Sequence, residues 1–337
     1  MYSMLMEEPN ILAATLLPVS DDKSVIYREF KVRCLQATSL VGPLLVMSLQ
    51  LLMLCILFHL SACGHPRWKR IVLHCGLCWY SVYKAVLILL AVVTLTWIFT
   101  ALYLNRQKAA LTLVVAALAG VIIGNVADMV AFEISVSAAI PIDIFSWTAA
   151  IWNVAITSSY ILTCPWIGGG SLLKAVTLLL AVSGALLILC LDEATAWIFM
   201  ALMIVWDVYA VAHPRGPIHL MLEQRRHWVY MGEHSAGSIP GGLVYSTRYF
   251  ELGTMDLVFL GVIVGRGAIS GGYCTLFACV PSVLVGFMAT CLHAMASRST
   301  VPALPLALSV GIATYAFCTT TDIQGMVSKT ARRGVYF

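Results

Sequence analysis

Four aspartates interrupt the long apolar runs of this 337-residue chain: Asp128, Asp143, Asp207 and Asp256. An ionisable side chain amid hydrocarbon is costly and is kept there for a reason. Asp128 and Asp143 fall near the ends of their runs, where a carboxylate reaches the interface, and read as interfacial or structural acids. Asp207 sits in Ile204-Val-Trp-Asp-Val-Tyr-Ala210, shortly before His213, and Asp256 in Leu252-Gly-Thr-Met-Asp-Leu-Val-Phe259, shortly after Glu251. At the helical rise per residue, both carboxyls are expected about 7–9 Å inside the same face, on consecutive antiparallel helices.

Two close carboxylates in a low-dielectric site cannot both ionise cheaply, so the pair tends to share one proton. One can then act as base on a trapped water while the other donates to a carbonyl oxygen, which is aspartic-peptidase chemistry. Acids at such depth serve an ion or proton pathway equally well. On the residues alone, therefore, a peptidase stands level with an ion-permeable pore or a non-catalytic scaffold. Other peptidase chemistries lack their residues: the chain has no HExxH for zinc and no GxSxG for a serine nucleophile. Cys75-Gly-Leu-Cys78 beside His74 has no second ligand pair, and reads as ordinary structural cysteines. No metal or organic cofactor is called for.

The elements that must hold these acids follow from composition. Hydrophobic residues make up 61% of the chain and charged residues 11%, too few charges to cover a water-soluble globule. The net charge of +4 is scattered in short clusters, so no basic stripe follows a phosphate backbone and nucleic acid is excluded as a partner. The expected fold is all-α and polytopic, in a lipid bilayer. A window of about 20 apolar residues gives nine spans: 40–62, 83–104, 109–131, 141–162, 172–191, 194–213, 252–272, 274–295 and 302–321. Residues 1–38 form an N-terminal tail, 39–213 carry spans one to six, 214–251 form a long loop, 252–321 carry spans seven to nine, and 322–337 form a C-terminal tail. Gly120-x3-Gly124, Gly261-x3-Gly265 and Gly267-x3-Gly271 permit close helix contact in lipid. The Lys/Arg bias favours a cytosolic N-terminus and a cytosolic 214–251 loop.

Three ordered motifs resemble the presenilins, catalytic subunits of γ-secretase within the GxGD family of intramembrane aspartyl peptidases. They are Trp206-Asp207 on span six, Gly253-Thr254-Met255-Asp256 opening span seven, and Pro302-Ala303-Leu304-Pro305 opening span nine. Thr195-Ala-Trp197, Pro214-Arg-Gly-Pro217 and Trp152-Asn153 support them. Signal peptide peptidase shares the aspartates in the opposite orientation, but the Pro-Ala-Leu-Pro stretch and Asp256-Leu-Val-Phe-Leu-Gly-Val-Ile-Val-Gly265 side with presenilin. The resemblance spans roughly residues 80–325 and implies a nine-helix presenilin-like fold. It further implies Asp207 and Asp256 as the catalytic dyad, with Gly253, Thr254, Met255, Pro302, Ala303, Leu304 and Pro305 at the substrate. Met255 stands where the family has glycine, and Trp206 where it has tyrosine. Implied too are transmembrane protein substrates and a complex with nicastrin, anterior-pharynx-defective and presenilin-enhancer subunits. The implied location is the endoplasmic reticulum, Golgi, and endosomal or plasma membrane. Pro302 and Pro305 lack N–H groups and disfavour a regular helix before residue 305. Such backbone is tolerable only in a wet or protein-lined cavity, although Pro302 also suits a plain helix start.

Overall fold

The computed structural model describes residues 78–139, 143–231, 243–246, 251–270, 272–297, 302 and 304–320, with a few positions of 41–50. Nine helices run through them: α1 (Cys78–Leu104), α2 (Lys108–Ala138), α3 (Ile144–Thr163), α4 (Pro165–Leu189), α5 (Glu193–Ala212), α6 (Pro217–Tyr230), α7 (Thr254–Ser270), α8 (Gly272–Ser297) and α9 (Leu304–Thr320). A hairpin of two short antiparallel strands, β1 (Val244–Ser246) and β2 (Glu251–Gly253), precedes α7 and pairs Tyr245 with Leu252. Eight of the helices fall on the second to ninth expected spans. Of the first expected span only a few positions of 41–50 are described, and these are helical; both tails, Cys75 and the centre of the 214–251 loop lie outside the described residues.

The protein is an integral, multi-pass membrane protein with an all-α fold. Five stretches among the described residues are long and apolar enough to cross a bilayer: Tyr80–Leu104, Lys108–Val136, Gly170–Leu189, Glu193–Trp228 and Thr275–Ala294. The two helices nearest the motifs, α7 and α9, are shorter, at 17 residues each. The hairpin strand β2 ends directly where α7 begins. Pro302 stands outside the helix and Pro305 in its first turn, where a missing N–H costs nothing.

Lipid gives helices no hydrophobic reason to associate, so close fit does the work. Small residues supply it. A Cβ on Gly120 would stand 2.6 Å from Ser159 Oγ and one on Gly124 3.3 Å from Ala155 Cβ, so α2 lies against α3 as the glycine spacing predicts. Around α7 the same device recurs. A Cβ on Gly184 of α4 would stand 2.9 Å from Val258, one on Gly265 2.3 Å from Leu189, and one on Gly311 of α9 2.7 Å from Ile263. Residues 256–267 of α7 are all buried, the expected state of a helix apolar on every side. It packs against α4, α8 and α9, while α9 also packs against α5.

The two peripheral acids take structural roles. Asp143 caps α3, accepting from Ser146 N at 2.9 Å. Asp128 accepts from Trp147 Nε1 at 2.6 Å and ties α2 to α3.

Helix α6 is a departure from the plain loop expected over 214–251. Its fourteen residues are too few for a hydropathy window, yet Ile218, Met221, Leu222, Arg225 and Trp228 are buried in helical rhythm while Glu223, Arg226 and His227 are exposed. Gly216 turns the corner from α5, where a Cβ would stand 2.4 Å from Ala210 O. Trp228 packs on Tyr103 of α1 at 5.0 Å between ring centroids. A small apolar cluster of Tyr103, Leu111, Val115, Met221 and Trp228 joins α6 to α1 and α2, with Leu243 and Val244 of the hairpin against it.

Candidate active site

Asp207 lies in the penultimate turn of α5 and is 0% exposed; Asp256 lies in the first turn of α7 and is 1% exposed. Asp256 lies nearer the start of its helix than a span beginning near residue 252 predicts. Gly253 instead closes β2 and the helix starts at Thr254. An acid in a first turn sits at the positive end of the helix dipole. Thr254 N donates to Leu243 O at 3.0 Å, which folds the hairpin directly onto the Asp256 turn.

Two contacts fix how α5 and α7 run. Arg266, late in α7, donates from Nη2 to Leu191 O just ahead of α5 at 2.8 Å. Midway, the rings of Phe199 and Phe259 lie 5.7 Å apart. The helices are therefore antiparallel, and both aspartates lie on the same side of the aromatic pair. By helical rise, Asp207 is about 12 Å and Asp256 about 4.5 Å along the axes from it. The carboxyl-bearing ends coincide, with the Asp207 turn further out.

The start of α9 completes this end. Leu304 is 0% exposed, and its N–H donates to Asp207 Oδ2 at 3.3 Å. That donor is free to reach a carboxylate because the first turn of any helix leaves its N–H groups without intrahelical acceptors. Pro302 and Pro305 are half-buried beside it; Ala303 lies outside the described residues. Asp207 Oδ1 and the neighbouring Trp206 Nε1 have no hydrogen-bond partner among the described residues. A fully buried carboxyl oxygen without a partner is expensive and rare in a settled core.

Gly253, Thr254 and Met255 thus lie at the hairpin–helix junction, and Pro302, Leu304 and Pro305 at the α9 start, within one end of the α5–α7–α9 group. Met255 is half-buried, packed against the core. Arg266 also lies inside an apolar run, a signal in the sequence equal to that of the acids.

The presenilin family matches this sequence over residues 75–248 and 233–327. The chain belongs to the presenilin family. Among relatives, Presenilin-B of Dictyostelium discoideum is 25% identical over 190 residues, which cover 55% of this chain and 38% of that protein. A presenilin homolog of Drosophila melanogaster is 28% identical over 89 residues, 26% of this chain and 16% of that protein. The match thus spans well under half the length of either relative. The resemblance drawn from the three motifs is borne out at the level of the family.

Proposed function

We propose that this chain is an intramembrane aspartic endopeptidase, the catalytic subunit of a γ-secretase-like complex, which hydrolyses peptide bonds within transmembrane segments of other membrane proteins. The observation that carries the reading is two buried carboxyls at one end of antiparallel α5 and α7, with the first amide of α9 donating to one of them. Asp207 and Asp256 are the catalytic pair. One takes a proton from water as its oxygen attacks the scissile carbonyl carbon, and the other donates to the carbonyl oxygen. The tetrahedral intermediate then collapses, the C–N bond breaks and the leaving nitrogen takes a proton from the pair. No metal or organic cofactor enters the scheme.

A helical substrate hides its carbonyls in its own hydrogen bonds, so it must unwind before attack. The unwound strand needs main-chain partners, and we assign that part to the short β1–β2 hairpin ahead of α7. Gly253, Thr254, Met255 and Pro302 to Pro305 are the residues we assign to substrate. Nicastrin, anterior-pharynx-defective and presenilin-enhancer subunits are the proposed partners. The 214–251 segment and N-terminal tail are placed in the cytosol, and the complex in the endoplasmic reticulum, Golgi, and endosomal or plasma membrane.

Cleavage of a membrane-anchored reporter, with partner subunits co-expressed, tests this. The wild type should release the soluble reporter fragment, and Asp207→Ala and Asp256→Ala should not. Equal release by all three sinks the peptidase reading.

A further inference from the structure

The end of the helix group away from the aspartates holds polar side chains that the chemistry above does not use. Arg266 is 3% exposed inside α7, ten residues after Asp256, and its Nη2 donates to Leu191 O at 2.8 Å. Tyr315 of α9 is 7% exposed; its hydroxyl donates to Glu193 Oε1 at 3.2 Å, and its ring lies 4.6 Å from that of Trp197 on α5. The turn that receives these contacts is itself held. Asp192 accepts from Ser81 Oγ at 2.9 Å and from Lys84 Nζ at 3.3 Å on α1, and from Thr195 N at 3.1 Å on α5.

These bonds join α5, α7 and α9, the three helices that carry Asp207, Asp256 and Leu304. We propose that Arg266, acting with Tyr315 on the Leu191–Glu193 turn, is a brace that aligns the aspartate-bearing ends, and that Arg266 is a positioning residue for the peptidase reaction proposed above. Ten residues of helix separate Arg266 from Asp256, a lever of about 15 Å. A tilt of about 10° at the braced end carries the Asp256 turn about 2–3 Å, and displacements near 1 Å already cost about a hundredfold in rate where reacting groups must be aligned. Local packing alone does not require an arginine here. The neighbouring contacts of α7 are apolar, with Gly265 against Leu189 and Gly311 against Ile263, and a buried cation is an expensive way to fill space.

The test compares wild type, Arg266→Met, Arg266→Lys and Tyr315→Phe in the full chain with its partner subunits. Two readouts are taken: reporter kinetics, and hydrogen exchange of the peptide containing the Leu304 amide. Arg266→Met should lower kcat about 10–100-fold with KM within about twofold, the pattern of lost alignment with binding retained. Exchange at Leu304 should quicken about tenfold as its bond to Asp207 loosens. Arg266→Lys should restore most of both, and Tyr315→Phe, which keeps the ring contact, should move both in the same direction by less. Wild-type kcat and exchange in Arg266→Met overturn the brace, as does a fall in kcat with Leu304 exchange unchanged. Where Arg266→Met does not accumulate, Tyr315→Phe decides by the same criteria. If Asp207→Ala cuts as well as wild type, the peptidase reading has failed instead, and Leu304 exchange alone judges the brace.

Discussion

The two ends of the α5–α7–α9 group differ in how far their buried polar side chains are tied to named partners. At the Arg266 end, polar side chains meet named partners: Arg266 a carbonyl, Tyr315 a carboxylate, Asp192 two hydroxyls, an ammonium and a backbone amide. At the Asp207 end, a carboxyl that is 0% exposed accepts one long hydrogen bond from Leu304 N, and its other oxygen has no partner among the described residues. Satisfied polar networks rigidify a fold, whereas an under-satisfied buried acid weakens it. One end holds helices together; the other keeps, in Asp207, an oxygen with no hydrogen-bond partner among the described residues. On the proposed function, catalysis and stability are segregated along the same three helices, about 15 Å apart.

The sharpest way to break this contrast is to remove each end and measure both properties. Asp207→Ala should abolish reporter cleavage, a loss of at least about a thousandfold, while leaving thermal stability in detergent unchanged or raised by up to about 1–2 kcal/mol. A clear destabilisation with residual activity would make Asp207 a structural acid. The next effect in size concerns how α9 is held. A Cβ on Gly286 of α8 would lie 2.8 Å from Ala307 Cα, a backbone neighbour that cannot swing aside. Gly286→Val should therefore destabilise by about 2–3 kcal/mol, as overpacked contacts do, and should depress cleavage by displacing Leu304. Thermal unfolding and reporter assays on the same preparation check it.

A smaller effect separates the ends by pH. Burial pushes the Asp192 carboxyl up, but hydrogen bonds from Thr195, Ser81 and Lys84 outweigh it and hold the group at about 2, below its ordinary 3.8. A depressed carboxyl stabilises the fold fully above its unfolded value and loses that contribution as pH falls through the folded one. The Asp192 contribution should thus be constant from pH 7 to about 4 and vanish towards pH 2. Melting temperatures of wild type and Asp192→Asn, compared from pH 7 to 3, should keep a constant gap above pH 4 and converge below it. Cleavage by a proton-sharing pair, by contrast, should vary with pH above 4, where that gap does not. The smallest expected change is Met255→Gly. Met255 is half-buried at the hairpin–helix junction, so trimming it should shift product length or KM by a few-fold and leave kcat within about threefold. A mass spectrum of the products decides.

Much of this architecture was legible in the sequence because lipid is an undemanding solvent to read. An apolar run of about 20 residues in a bilayer has little choice but a helix, and eight of the nine expected spans coincide with described helices. The glycine pairs were legible for the same reason: Gly120 and Gly124 do meet Ser159 and Ala155. The motifs led to Asp207, Asp256 and the Pro302–Pro305 stretch without coordinates. Helix α6 escaped because a 14-residue amphipathic segment is too short for a hydropathy window, although the spacing of Ile218, Leu222, Arg225 and Trp228 carried the signal. The start of α7 escaped because Leu252 and Gly253 are apolar enough to extend a span, while strand pairing of Tyr245 with Leu252 claims them.

What the sequence determined by itself is the set of helices, the membrane that surrounds them and the pair of acids worth asking about. Each of these depends on local composition or on residue spacing within one segment. The tertiary structure decided which ends of those helices coincide, that the first amide of α9 faces Asp207, and that Arg266 reaches Leu191 rather than lipid. Those facts join residues 97 and 75 positions apart. No local pattern encodes such contacts; they arise only when whole helices settle against one another.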